Sequence, residues 1–96
     1  MKNSILRFWK SLINHREKIE EFDWVEIIKV PKGQKGIVDI GDVGTVLDKY
    51  NDKNFEVECG KPDGSYKWLM PLHVRYLKLV SKDPYGIRKE IENKEE

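Results

Sequence analysis

The chain holds one cysteine, Cys59. A lone thiol excludes an internal disulfide and favours a reducing, cytoplasmic setting. Unbroken hydrophobicity is scarce too: no run of about 18 uncharged apolar residues occurs, which excludes a membrane-spanning helix. An excess of one charge is also missing. Eighteen Lys and Arg stand against 17 Asp and Glu, giving a formal net charge of +1. The pI of about 7.8 falls short of the ~9 typical of dedicated nucleic-acid domains. A zinc site needs three or four ligands at workable spacing, and the two histidines, His15 and His73, have a single cysteine to join them, so each reads as a surface or packing residue.

What is present divides into three parts. Ninety-six residues make one domain with a modest core. Asn3–Phe22 reads as a helix capped by Asn3 or Ser4, with no Gly or Pro before Pro31. At ~100° per residue, Ile5, Phe8, Trp9, Leu12, Ile13 and Ile19 share one apolar arc, with Arg7, Lys10, Asn14, Glu17, Lys18 and Glu21 opposite. This arc is expected to pack on the protein's own core or on a partner. Residues 1–19 also carry Lys2, Arg7, Lys10, Arg16 and Lys18 against Glu17 alone, and Trp9 suits an interface, so a membrane-surface helix is an alternative. A cleavable organellar targeting helix is another; a secretory signal is not, because charges break the apolar run and no small-residue cleavage site follows.

From Trp24 to Val80 the pattern turns to short strands. Trp24–Val30 is β-branched and stops at Pro31. After a loop with Gly33, Gly36 and Gly41 comes Val43–Tyr50, closed by Asn51-Asp52-Lys53-Asn54. Phe55–Cys59 alternates strictly, placing Phe55, Val57 and Cys59 inward and Glu56 and Glu58 in solvent. Pro62-Asp63-Gly64 is a turn signal that makes a hairpin with Tyr66–Met70. Pro71–Arg75 is a tight connector and Tyr76–Val80 a fifth strand. Residues 81–96 form a charged tail in which Ile87 and Ile91 stand at helical spacing, with fraying expected beyond Ile91. The organisation is therefore an amphipathic helix over 1–22, a five-stranded domain over 23–80 and a tail.

The residues "DWVEIIKV", "GDVGTVLDKY", "FEVEC", the Pro-Asp-Gly turn and "YLKLV" resemble a bacterial family of SH3-like small-barrel domains of unknown function. The layout is also similar to the photosystem I ferredoxin-docking subunit and the nitrile hydratase β-subunit barrel, and more loosely to the KOW motif of ribosomal proteins. The resemblance covers Asp23–Val80 and implies a mainly β protein, a five-stranded barrel used for docking proteins or RNA. Cys59 stands where an aromatic is common in the family.

Within "IGDVGTVLDKY" two residues separate Gly41 from Gly44 and Thr-Val-Leu follows. A nucleotide P-loop needs four residues between its glycines, then Lys-Ser/Thr and a helix. Gly41 is instead expected to take a positive φ, and Gly44 to admit a neighbouring strand closely. A Cys59–His73 nucleophile pair is opposed by the inward position of Cys59, where a thiol acts as a small hydrophobe. Glu56 and Glu58 form a carboxylate pair only on an outward face without other polar machinery. No enzyme constellation survives, and no cofactor is implied.

Binding remains. Trp24 and Trp68 are expected to fill space between barrel and helix, whereas Tyr50 and Tyr66, flanking loops, are candidates for a peptide groove. Lys32 and Lys35, with Lys29, make a basic loop able to steer an acidic partner, and Trp9 adds an apolar anchor. The expectation is a non-enzymatic protein-interaction module: an adaptor, accessory subunit or immunity-type inhibitor. An RNA- or ribosome-associated barrel is the second reading, and membrane tethering through residues 1–19 the third. The sequence leaves the oligomeric state open.

Overall fold

In a computed structural model, which describes residues 18–94, the chain is mainly β. Five antiparallel strands, β1 (Trp24–Ile27), β2 (Val43–Lys49), β3 (Asn54–Gly60), β4 (Tyr66–His73) and β5 (Leu77–Ser81), form one sheet in the order β4-β3-β2-β1-β5. A 3₁₀ turn, Val74–Tyr76, links β4 to β5, and helix α1 (Ile87–Lys94) follows. The expected closure into a barrel is corrected: β4 and β5 occupy opposite edges and no ladder joins them. None of the described helices is long and apolar enough to cross a membrane.

Strand alternation sorts the side chains onto two faces. Val25, Ile27, Val46, Phe55, Val57, Cys59, Trp68, Leu72 and Leu77 are buried on the inner face. Ile19, from the approach to β1, and Val38, from the long β1–β2 loop, join the same core. β1 is shorter than its β-branched run because Ile28 leaves the ladder and donates its N–H to the Tyr76 carbonyl at 2.9 Å. β4 is longer than expected and runs through Pro71, which an edge strand tolerates because one side of its backbone needs no donor.

The expected N-terminal helix falls mostly on residues outside the described ones. Its last part is corrected: Lys18–Phe22 is extended and turned. Phe22 has φ 71° and donates its N–H to the Val46 carbonyl at 2.7 Å, so the chain runs beside β2 rather than coiling. Burial of Ile19 anchors this approach. The tail, by contrast, stays helical to Lys94.

The two glycines of "IGDVGTVLDKY" hold backbone, as expected. Gly41 has φ 93° with open space where a Cβ would stand. At Gly44, a Cβ would meet Val57 Cγ1 at 2.7 Å and the Glu58 carbonyl oxygen at 2.8 Å. The strand β2 follows, as the sequence pattern requires.

Candidate functional site

The outer face of the sheet is the one with unclaimed chemistry. Register places Trp24 beside Thr45, Thr45 beside Glu58 and Glu58 beside Leu69, so these four form one outward row across β1 to β4. The neighbouring row holds Glu26 beside Val43. Between them lies a groove of about 340 Å³ lined by Trp24, Val43, Gly44, Thr45, Glu58, Gly60 and Tyr85. Its aromatic wall comes from two distant parts of the chain. Trp24 opens β1, Tyr85 sits in the turn before α1, and their rings meet edge to face with centroids 5.5 Å apart. Tyr85 remains 71% exposed, so the pair is presented to solvent rather than consumed in the core.

The charge on this face is negative. Among the described residues, Glu26, Asp48, Glu56 and Glu58 take part in no ion pair. Lys78 lies opposite Glu26 in the ladder without bonding to it. Lys67 is committed elsewhere: its Nζ reaches Asp39 Oδ2 at 2.7 Å and Asp42 Oδ1 at 2.8 Å. Those bonds hold the lysine well above its ordinary value. Exposed Val43, Leu47, Leu69 and Val80 supply apolar surface around the acids.

Asp42, the acid of the "GD" pair, has a structural task. Burial pushes its carboxyl up, but bonds from Lys67, Trp68 and the Asp39 N–H outweigh this and hold it below the usual carboxylate range. Trp68 Nε1–H donates to Asp42 Oδ2 at 2.8 Å, which satisfies the polar end of a buried indole.

The residues expected to bind a partner do not converge. Tyr50, next to Asn54, and Tyr66, opposite Gly60, flank opposite ends of β3, roughly 20 Å apart by strand rise. Tyr50 donates its hydroxyl to Glu56 Oε2 at 2.8 Å, which raises the phenol's pKa. Tyr66 is exposed beside the groove's end. Lys32 and Lys35 are exposed in the β1–β2 loop and contribute nothing to the groove lining. Trp9 lies outside the described residues. Trp68 fills the inner core as a tryptophan should, but Trp24 faces outward onto Tyr85 instead of a helix.

The conceivable nucleophile pair is separated as well. Cys59 stands opposite Trp68 and His73 opposite Asn54, roughly 17 Å apart along β3. Burial, then the Asp42 charge, pushes the Cys59 thiol up, away from the reactive thiolate. Among the described residues, no cluster of three or more His, Cys, Asp or Glu could hold a metal ion.

His73 instead caps the 3₁₀ turn, its Nδ1 accepting the Arg75 N–H at 3.0 Å and Arg75 Nε–H at 3.1 Å. Desolvation, with Arg75 and Lys53 nearby, lowers its pKa. A depressed imidazole contributes stability that is complete above the unfolded value of about 6.5 and is lost as pH falls through the folded value. The thermal midpoint should therefore drop between about pH 7 and 5. In His73→Asn, whose amide oxygen can accept the same N–H without titrating, thermal scans should show a flatter profile; an unchanged slope would remove the role.

Sequence reasoning missed Tyr85, Glu26 and Glu58 as members of one site. The available signal was an aromatic placed inside a turn, "DPYG", where burial is not expected. The chain matches no family model, no curated protein and no solved structure.

Proposed function

We propose that this chain is a non-enzymatic protein-docking module whose outer sheet face receives an extended partner segment bearing lysine or arginine beside an aliphatic side chain. The observation that carries the reading is the groove itself, in which half-buried Trp24 and exposed Tyr85 share the lining with Glu58, a carboxylate without an ion-pair partner among the described residues. A cation over the solvent-facing side of this ring pair gains from an aromatic face and from Glu58, while Val43 offers a floor for its aliphatic neighbour. The same acids repel phosphate, which favours protein over nucleic acid. The strand order and the 3₁₀ turn before β5 support the SH3-like resemblance in connectivity, without closure into a barrel.

Calorimetric titration with a short synthetic peptide alternating lysine and valine tests the reading. Binding should weaken about tenfold in Trp24→Ala, as loss of a cation–π contact implies, and vanish in Glu58→Lys. Equal binding of a glutamate–valine peptide, or preferential binding of an RNA oligonucleotide with a steep salt slope, would overturn it.

A further inference from the structure

We infer that Asp23 is the positioning residue of the groove: its buried carboxylate ties down the Lys82–Arg88 strap and so holds Tyr85 against Trp24. Asp23 is 0% exposed, and an ionised carboxylate tolerates such burial only with full pairing. It has it. Oδ1 accepts the Asp83 N–H at 2.8 Å and forms an ion pair with Arg88 Nη2 at 3.1 Å. Oδ2 accepts the Glu20 N–H at 2.8 Å and forms an ion pair with Lys82 Nζ at 3.1 Å. Each oxygen therefore takes one backbone amide and one cationic side chain, and three of the four partners, Lys82, Asp83 and Arg88, lie within three residues of Tyr85.

The strap has little else to hold it. An eight-residue helix is marginal alone, and α1 brings only a half-buried Ile87 while Ile91 is exposed. Its other ties are polar, and Lys82 Nζ also donates to the Lys18 carbonyl at 2.6 Å. Asp83 caps α1 by accepting the Ile87 and Arg88 N–H groups at 2.8 and 3.0 Å. Arg88 Nη1 donates to the Glu21 carbonyl at 2.8 Å. Meanwhile the Asp23 carbonyl accepts the Val46 N–H at 2.9 Å, which locks the backbone that carries Trp24. One residue thus fixes both rings, Trp24 through the chain and Tyr85 through the carboxylate. Freed from Asp23, the strap keeps its own helix cap but loses its register on the sheet, and the groove loses a wall.

The affinity half of this inference rests on the docking role proposed above; the ring-contact half does not. Asp23→Asn preserves size but offers its amide hydrogens to groups that are all donors. In the full chain, nuclear Overhauser contacts between the Trp24 and Tyr85 rings should disappear in Asp23→Asn while the Val46 and Val57 methyl signals keep their dispersion. Affinity for the lysine–valine peptide should fall about tenfold, matching removal of an aromatic wall. Arg88→Gln, which removes one of the four donors, should weaken the ring contacts, and Arg88→Lys should restore part of them. It also carries the test if Asp23→Asn does not fold. Ring contacts retained in folded Asp23→Asn, or in Arg88→Gln where Asp23→Asn does not fold, would overturn the assignment. If the wild-type chain ignores the peptide, the docking role falls and the ring contacts alone decide the latch.

Discussion

Trp68→Ala should remove about 3–5 kcal/mol of stability, the range for deleting a large buried aromatic. A domain of this size holds about 5–10 kcal/mol in all, so the variant is expected to melt roughly 12–40 °C lower, at 4–8 °C per kcal/mol. Trp68 is 4% exposed and stands opposite Cys59 on the inner face. Its loss opens a cavity at the β3–β4 side of the core and removes one of the two hydrogen bonds to Asp42 Oδ2, leaving the Asp39 N–H at 3.0 Å. Trp68→Phe weights the second effect: a six-membered ring stays, the N–H donor goes, and about 1–2 kcal/mol should be lost with the hydrogen bond, beyond a smaller cavity cost. The acid limb then shows which part is electrostatic. Burial raises the Asp42 carboxyl and its hydrogen bonds more than compensate, so its folded value lies below the unfolded one. Such a group adds stability above the unfolded value of about 4, and loses it as pH falls through the folded value. Trp68→Phe should therefore lose less on acidification than the wild type in urea melts at about pH 7 and 3. Parallel losses in both proteins would show that the indole N–H contributes nothing to holding Asp42 ionised.

What could be read from the residues was local. The alternation of Phe55–Cys59 is a period-two signal complete within five residues, and the structure buries Phe55, Val57 and Cys59 as that period requires. The Pro62-Asp63-Gly64 turn forms with Gly64 at φ 88°, and Ile87 and Ile91 mark a helix that exists. The misses are all non-local. Asp23 looked like one acid in an acidic run, yet its carboxylate meets an amide 60 residues away. Nothing near Tyr85 announces Trp24, because only the return of the chain past β5 brings them together. Sheet closure failed for the same reason: five strand signals say how many strands form, while pairing of the two edges depends on twist and on what covers the core. The amphipathic arc before Phe22 carried a helical period into Ile19, but a buried anchor and a backbone bond to Val46 outweigh helix propensity there. Thus the inner face was largely readable, and the docking face was not, since its members come from β1, β2, β3 and the strap.

Gly44→Ala should cost about 3 kcal/mol, the upper end for overpacking, although Gly and Ala differ by one methyl group. The added Cβ would stand 2.7 Å from Val57 Cγ1 and 2.8 Å from the Glu58 carbonyl oxygen. A side-chain methyl can rotate away; a carbonyl inside the β2–β3 ladder moves only if the ladder opens. Gly41→Ala provides the contrast. Nothing lies within 4 Å of its missing Cβ, but φ is 93°, so the cost is backbone strain of about 1–2 kcal/mol without damage to the sheet. A double-mutant cycle distinguishes close approach from strain. Val57→Ala deletes one of the two colliding atoms, so it should relieve part of the Gly44→Ala penalty, and the pair should cost less than the sum by about 1 kcal/mol. Val57→Ala should not relieve Gly41→Ala at all. Strict additivity at Gly44, measured from denaturant midpoints with an unchanged slope, would mean that the strands do not approach there as closely as the fold requires. The inner and outer faces would then be differently spaced, and the row from Trp24 to Glu58 that forms the docking surface would lose its geometric basis.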